Sequence, residues 1–139
     1  MFTEMLSQLN WLHILIAAIA YFALGAIWYG PLFSKQWIKL TGLNMDDPNA
    51  KKGVITIMFT SFLMMLVQTI GIALLQHHFM TSSLLAGFKM GAFVGVFFCT
   101  TSIAINYLYT KKALMLYVID CGYQTLGCGV AAAILAAWM

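Results

Sequence analysis

Asp120 stands inside a long apolar run, whereas Glu4 precedes the first such run and Asp46 and Asp47 fall between two of them. A carboxylate surrounded by hydrocarbon must be protonated, paired or wet. In such a place it handles protons or cations, or it fixes helix register as a buried hydrogen-bonding group. The sequence leaves both readings open. Gln124 follows one helical turn later, and Gln68 and His13 are polar residues in two other apolar runs, so these four could line an intramembrane path. Lys89 is the one cation inside a run. In an antiparallel hairpin Asp120 matches about residue 102, which leaves Lys89 some 13 residues, or ~20 Å, away. Lys89 is therefore expected to snorkel to the nearer surface.

Other reactive residues form no recognisable centre. Cys121 and Cys128 lie ~10 Å apart along one helix, too far for a disulfide, and with Cys99 they read as small packing residues. His13, His77 and His78 are expected at one side of the membrane without the three or four converging ligands that a metal needs. No Walker motif, dinucleotide-binding turn, HExxH or nucleophile motif occurs. No cofactor and no metal are implied, and an enzyme is not expected.

The elements that carry these residues follow from composition. Of 139 residues, 63% are hydrophobic and 8% charged, against about 25% charged in an ordinary soluble domain. One small core could not hide that much apolar surface, so lipid is the consistent solvent. Four segments, near 11–29, 54–75, 84–107 and 113–138, reach the roughly 20 helical residues that cross a bilayer. They show no dyad alternation of the kind a membrane β-barrel needs. The expected fold is all-α, an integral membrane four-helix bundle forming a single domain over 1–139. "AIA" at Ala18–Ala20 resembles a signal cleavage site, but Glu4 and the lack of a preceding lysine argue for a retained helix.

Orientation follows from seven lysines, with no arginine in the chain. Lys35, Lys39, Lys51 and Lys52 lie between segments one and two, and Lys111 and Lys112 between three and four. Lysine-rich short loops stay cytoplasmic, which puts both termini and the His77/His78 turn outside. No contiguous basic surface supports nucleic-acid binding.

The stretch "WYGPLFSKQW" reads as a membrane exit. Trp28 and Tyr29 suit the headgroup level, Gly30 and Pro31 break the helix, and a short amphipathic interfacial helix follows near 31–42. The competing reading is a lipid-headgroup or partner site built from Trp28, Tyr29, Lys35 and Trp37, in which lysine beside interfacial aromatics would bind an anionic headgroup. Asp47 and Pro48 are expected to start the second long helix. Within the bundle, Gly87, Gly91 and Gly95 form a small-xxx-small ridge, and Thr125, Gly129, Ala133 and Ala137 repeat that spacing. The two ridges are expected to pack together in the outer half, with a homo-oligomer contact as the competing use.

"GAIWYGPLFSKQW" and the final "DCGYQTLGCGVAAAILAAW" resemble the small bacterial integral-membrane family known as domain of unknown function 1761. The pattern is carried by Gly25, Trp28, Tyr29, Gly30, Pro31, Leu32, Phe33 and Trp37. That resemblance implies four membrane helices and no mechanism. The function expected is a structural or accessory membrane protein that binds lipid or partners. The alternative is an oligomeric small-solute or ion transporter using Asp120. The implied partners are the bilayer and either a second copy or another membrane protein.

Overall fold

Asn10 starts the first long helix in the computed structural model, which describes residues 1–44, 46–49 and 51–138. Its side-chain oxygen accepts from the backbone amides of Leu12 (3.1 Å) and His13 (3.2 Å), donors that a helix start otherwise leaves open. A short helix α1, Phe2–Ser7, precedes it and was not expected from hydropathy. Helix α2 runs Trp11–Leu32, α3 Ser34–Thr41, α4 Val54–Phe79, α5 Leu84–Tyr109 and α6 Leu114–Ala137. Among the described residues there is no strand, as the all-α expectation requires. Helices α2, α4, α5 and α6 are each long and apolar enough to cross a membrane.

Several helix boundaries differ from expectation. Gly30 and Pro31 do not end α2 at Tyr29. Instead Trp28–Leu32 winds into one π-helical turn, closed by the Phe33 amide on the Trp28 carbonyl at 3.0 Å. Proline has no N–H to give the α-helical ladder, and the wider turn passes over that gap. Helix α3 therefore begins at Ser34 and stops at Gly42, whose φ of 72° is left-handed. It exposes Lys35 and Lys39 and half-buries Trp37, Ile38 and Leu40. Asp47 and Pro48 do not start α4 either. Asp47 accepts the Asn49 amide at 2.9 Å within the connection, and α4 begins after Gly53 at φ 76°. At its far end α4 carries His77 and His78 in its last turn rather than in a loop.

Helix α6 is the hub, packing against α5, α2, α4 and α3. The α5 glycines make its closest approach possible. A Cβ on Gly87 would meet the Ala132 carbonyl at 2.6 Å, one on Gly91 the Ala132 methyl at 2.6 Å, and one on Gly95 the Thr125 Cα at 2.5 Å. The facing row on α6 is therefore Thr125, Cys128, Ala132 and Ala136, which corrects the expected row through Gly129 and Ala133. Thr125 belongs to both rows, Gly129 still meets α5 through the Phe88 ring, and Ala133 is buried. Small residues surround most of that part of α6, so spacing alone does not select the contacting face.

The bundle closes at one end and opens at the other. Buried residues of α2, which are Ile14, Ala17, Ala18 and Tyr21, all lie in its half nearer the termini. Those of α4, Thr69, Ile72, Ala73 and Gln76, also lie toward that end. Residues 54–68 of α4 contribute no buried side chain, so α2 and α4 part toward the lysine-bearing connections.

Candidate functional site

Asp120 is 8% exposed and is held by two tyrosines from different helices. Tyr29, in the π-helical turn of α2, donates its hydroxyl to Oδ1 at 2.5 Å, and Tyr107 near the end of α5 donates to Oδ2. Each carboxylate oxygen thus has a hydroxyl partner, which is how a buried acceptor avoids the cost of desolvation. Thr101 and Ser102, near the expected depth of Asp120, donate instead to carbonyls of their own helix, Phe97 and Phe98.

Trp28 and Tyr29 are half-buried, and each makes a hydrogen bond within the bundle. The Trp28 indole donates to the Ile119 carbonyl at 2.9 Å, and its ring lies beside Gly122, where a Cβ would meet it at 3.2 Å. Tyr29 packs edge-on against Trp37 of α3 at 5.8 Å between centroids. The residues expected to bind a headgroup therefore clamp α3 to α6 through α2, and Lys35 remains exposed.

Gln124 and Gln68 meet away from Asp120. The Tyr21 hydroxyl donates to Gln124 Oε1, with Gln68 Oε1 also 3.3 Å away. The Gln68 amide nitrogen lies 3.0 Å from both the Cys99 and Cys128 sulfurs, which are 3.9 Å apart. A π-helical segment, Gly95–Thr100, carries Cys99 in α5. Tyr123 fills the space between this cluster and Asp120. Its ring packs edge-on against Tyr21 (5.4 Å) and Tyr29 (5.3 Å), and its hydroxyl donates to the Tyr21 carbonyl at 3.0 Å. Gly25 admits that ring, since a Cβ there would lie 2.8 Å from the Tyr123 oxygen.

His13 belongs to neither group. It stacks on Trp138, 4.3 Å between centroids, at the end of the bundle nearer the termini, and shares a cavity wall with His77. The four residues read as one path thus fall into three places, separated by a tyrosine column. Among the described residues no group of three metal-ligating side chains converges. Lys89 is exposed.

Where α2 and α4 part, a groove of about 560 Å³ opens over α6. Ala26 and Tyr29 line one side, Met58, Ser61 and Met65 the other, and Tyr123 and Gln124 form its floor. Sequence reading missed Tyr21, Tyr107 and Tyr123 as partners, because each pairing joins residues on different helices. Gln76 was missed as well, although Thr69, Ile72, Ala73 and Gln76 follow the i, i+3, i+4, i+7 spacing of a buried stripe.

Four long apolar helices around a tyrosine-lined polar interior have the architecture of a multi-pass helical membrane protein. The model of the family described as "Protein of unknown function (DUF1761)" matches residues 12–136, and the chain belongs to that family. No curated protein and no solved structure matches the chain.

Proposed function

We propose that the chain is a non-catalytic, accessory membrane protein that holds the acyl chain of an anionic phospholipid in the groove between α2 and α4. The observation that carries this reading is the parting of two helices toward the lysine-bearing end. It leaves about 560 Å³ of mainly apolar space open beside the tyrosines. Volumes of roughly 300–1,000 Å³ are usual for small-molecule sites. Ser61 and Gln124 give the groove polar points, and Lys35 and Lys39 on α3 stand exposed for a phosphate. Lysines near a membrane surface each add about 1 kcal/mol of attraction to anionic lipid. Lysine placement supports an orientation with that end cytoplasmic and both termini outside.

The pairing of Asp120 favours this reading over transport. Both carboxylate oxygens already accept tyrosine hydroxyls, and Tyr123 stands between Asp120 and the glutamines. A register-fixing anchor fits that arrangement better than a site exchanging ions.

Native mass spectrometry from nanodiscs of mixed anionic and zwitterionic phospholipid tests the proposal. Retention of one or two anionic lipids, lost in the Lys35→Gln, Lys39→Gln double variant, is expected. Equal retention of both lipid classes would overturn it.

A further inference from the structure

Cys99 of α5 and Cys128 of α6 face each other inside the bundle, with their sulfurs 3.9 Å apart. Cys99 is half-buried in the π-helical segment Gly95–Thr100, whereas Cys128 has no exposed surface. Gln68 of α4 reaches the pair, its amide nitrogen 3.0 Å from each sulfur. An amide nitrogen carries two hydrogens, so one N–H serves each sulfur. The Cys121 sulfur, on a residue that is also half-buried, lies instead against the Thr100 carbonyl. π turns inside α-helices recur at functional sites.

Two N–H donors placed on two adjacent sulfurs stabilise a pair that carries negative charge while it reacts. Thiol oxidation follows nucleophilicity and access. Exposure therefore divides the pair, since an outside reagent meets Cys99 and only Cys99 meets Cys128. Cys99 lies about ten residues before Tyr109 at the end of α5, or ~15 Å, which is the middle of a hydrocarbon core of about 30 Å. A reagent acting there must dissolve among acyl chains, and a charged one would do so at high cost. A neutral organic hydroperoxide, R–O–O–H, meets both conditions.

We infer that Cys99 and Cys128, with Gln68 donating to both sulfurs, form a dithiol that an organic hydroperoxide oxidises first at Cys99 and that Cys128 then closes as a disulfide. The Cys99 sulfur attacks the terminal oxygen of R–O–O–H. An S–O bond forms, the O–O bond breaks, and the thiol proton passes to the departing alkoxide to give R–OH and a sulfenic acid on Cys99. The Cys128 sulfur then attacks the Cys99 sulfur. The S–S bond forms, the S–O bond breaks, and hydroxide leaves as water with the Cys128 proton. One hydroperoxide is reduced by two electrons as two thiols become one disulfide. The sulfurs close from 3.9 Å to about 2.05 Å by side-chain rotation between helices that already pack closely. A peroxidised acyl chain and a small alkyl hydroperoxide from water offer the same reacting group. Neither cysteine lines the proposed phospholipid groove, and the reaction does not depend on a lipid held there.

The full chain in nanodiscs is treated with one equivalent of a phospholipid hydroperoxide in the bilayer, or of tert-butyl hydroperoxide in the buffer. Remaining thiols are then alkylated and mapped by fragment-ion sequencing. Loss of Cys99 and Cys128 together, with Cys121 still alkylated, is expected. Cys128→Ser should stop at the sulfenic acid, captured by dimedone on Cys99, and Cys99→Ser should leave Cys128 reduced. Gln68→Met, which keeps both thiols, should slow the oxidation by about tenfold. An unchanged rate of Cys121 alkylation reports that each variant is folded. The arm that reacts faster assigns the hydroperoxide to the bilayer or to the water. Oxidation of Cys121 as fast as Cys99, dimedone capture on Cys128, or an unchanged rate in Gln68→Met would overturn the proposal and leave the pair as packing residues.

Discussion

Tyr29 and Asp120 are 91 residues apart in sequence, and the hydroxyl of one lies 2.5 Å from the carboxylate of the other. That contact ties the π-helical exit of α2 to the hub helix, and Tyr107 adds the end of α5 to the same carboxylate. A double-mutant cycle of Tyr29→Phe and Asp120→Leu, which removes the acceptor, should give a coupling of about 0.6 kcal/mol and at most about 1.7 kcal/mol, the average and maximum for side-chain hydrogen bonds between membrane helices. Reversible unfolding in mixed micelles measures it. Strict additivity would remove the anchor role.

Gly91 and Gly71 offer a matched pair. A Cβ on Gly91 would run into α6, whereas one on Gly71 of α4 meets nothing within 4 Å. Gly91→Ala should therefore lower stability by about 1–3 kcal/mol, as overpacking does. Gly71→Ala should be neutral or slightly stabilising.

Cys99 and Cys128 should cross-link under a mild thiol oxidant, because their sulfurs are 3.9 Å apart on facing helices. Cys121 and Cys128 share the tryptic peptide 113–139, so fragment-ion sequencing of the cross-linked peptides is needed, and it is expected to place the disulfide on Cys128 with Cys121 still reduced, since the Cys121 sulfur lies beside the Thr100 carbonyl. A Cys121 disulfide in its place would contradict the packing of α5 on α6.

A cysteine at Ser7, on the exposed helix α1, should react with an impermeant thiol reagent applied from outside. Labelling only after membrane disruption would reverse the proposed orientation.

Long helices were legible because a hydrocarbon layer imposes their length, and the α5 glycine ridge was legible because close approach needs small residues. Its partner row was not, because Gly127, Cys128, Gly129, Ala131, Ala132 and Ala133 make α6 small on nearly every side. Pro31 misled for a different reason. A π turn absorbs its missing donor, so the helix reaches Leu32 before it stops. Asp47 and Pro48 matched a helix start, but the left-handed Gly53 places that start later. Asp120 was visible as an anomaly in an apolar run. Its tyrosine partners were not, since aromatic residues in membrane segments have no spacing that distinguishes a donor from a packing ring.

Photo-cross-linking with an anionic phospholipid carrying a diazirine in its acyl chain tests the central claim most directly, with labelled positions read by peptide mass spectrometry. Adducts concentrated at residues 22–30 of α2 and 58–65 of α4, and lost in a groove-filling Ala26→Trp variant, are predicted. Adducts spread equally over the exposed α5 face at Phe93 and Phe97, and unchanged in that variant, would contradict a lipid held between α2 and α4.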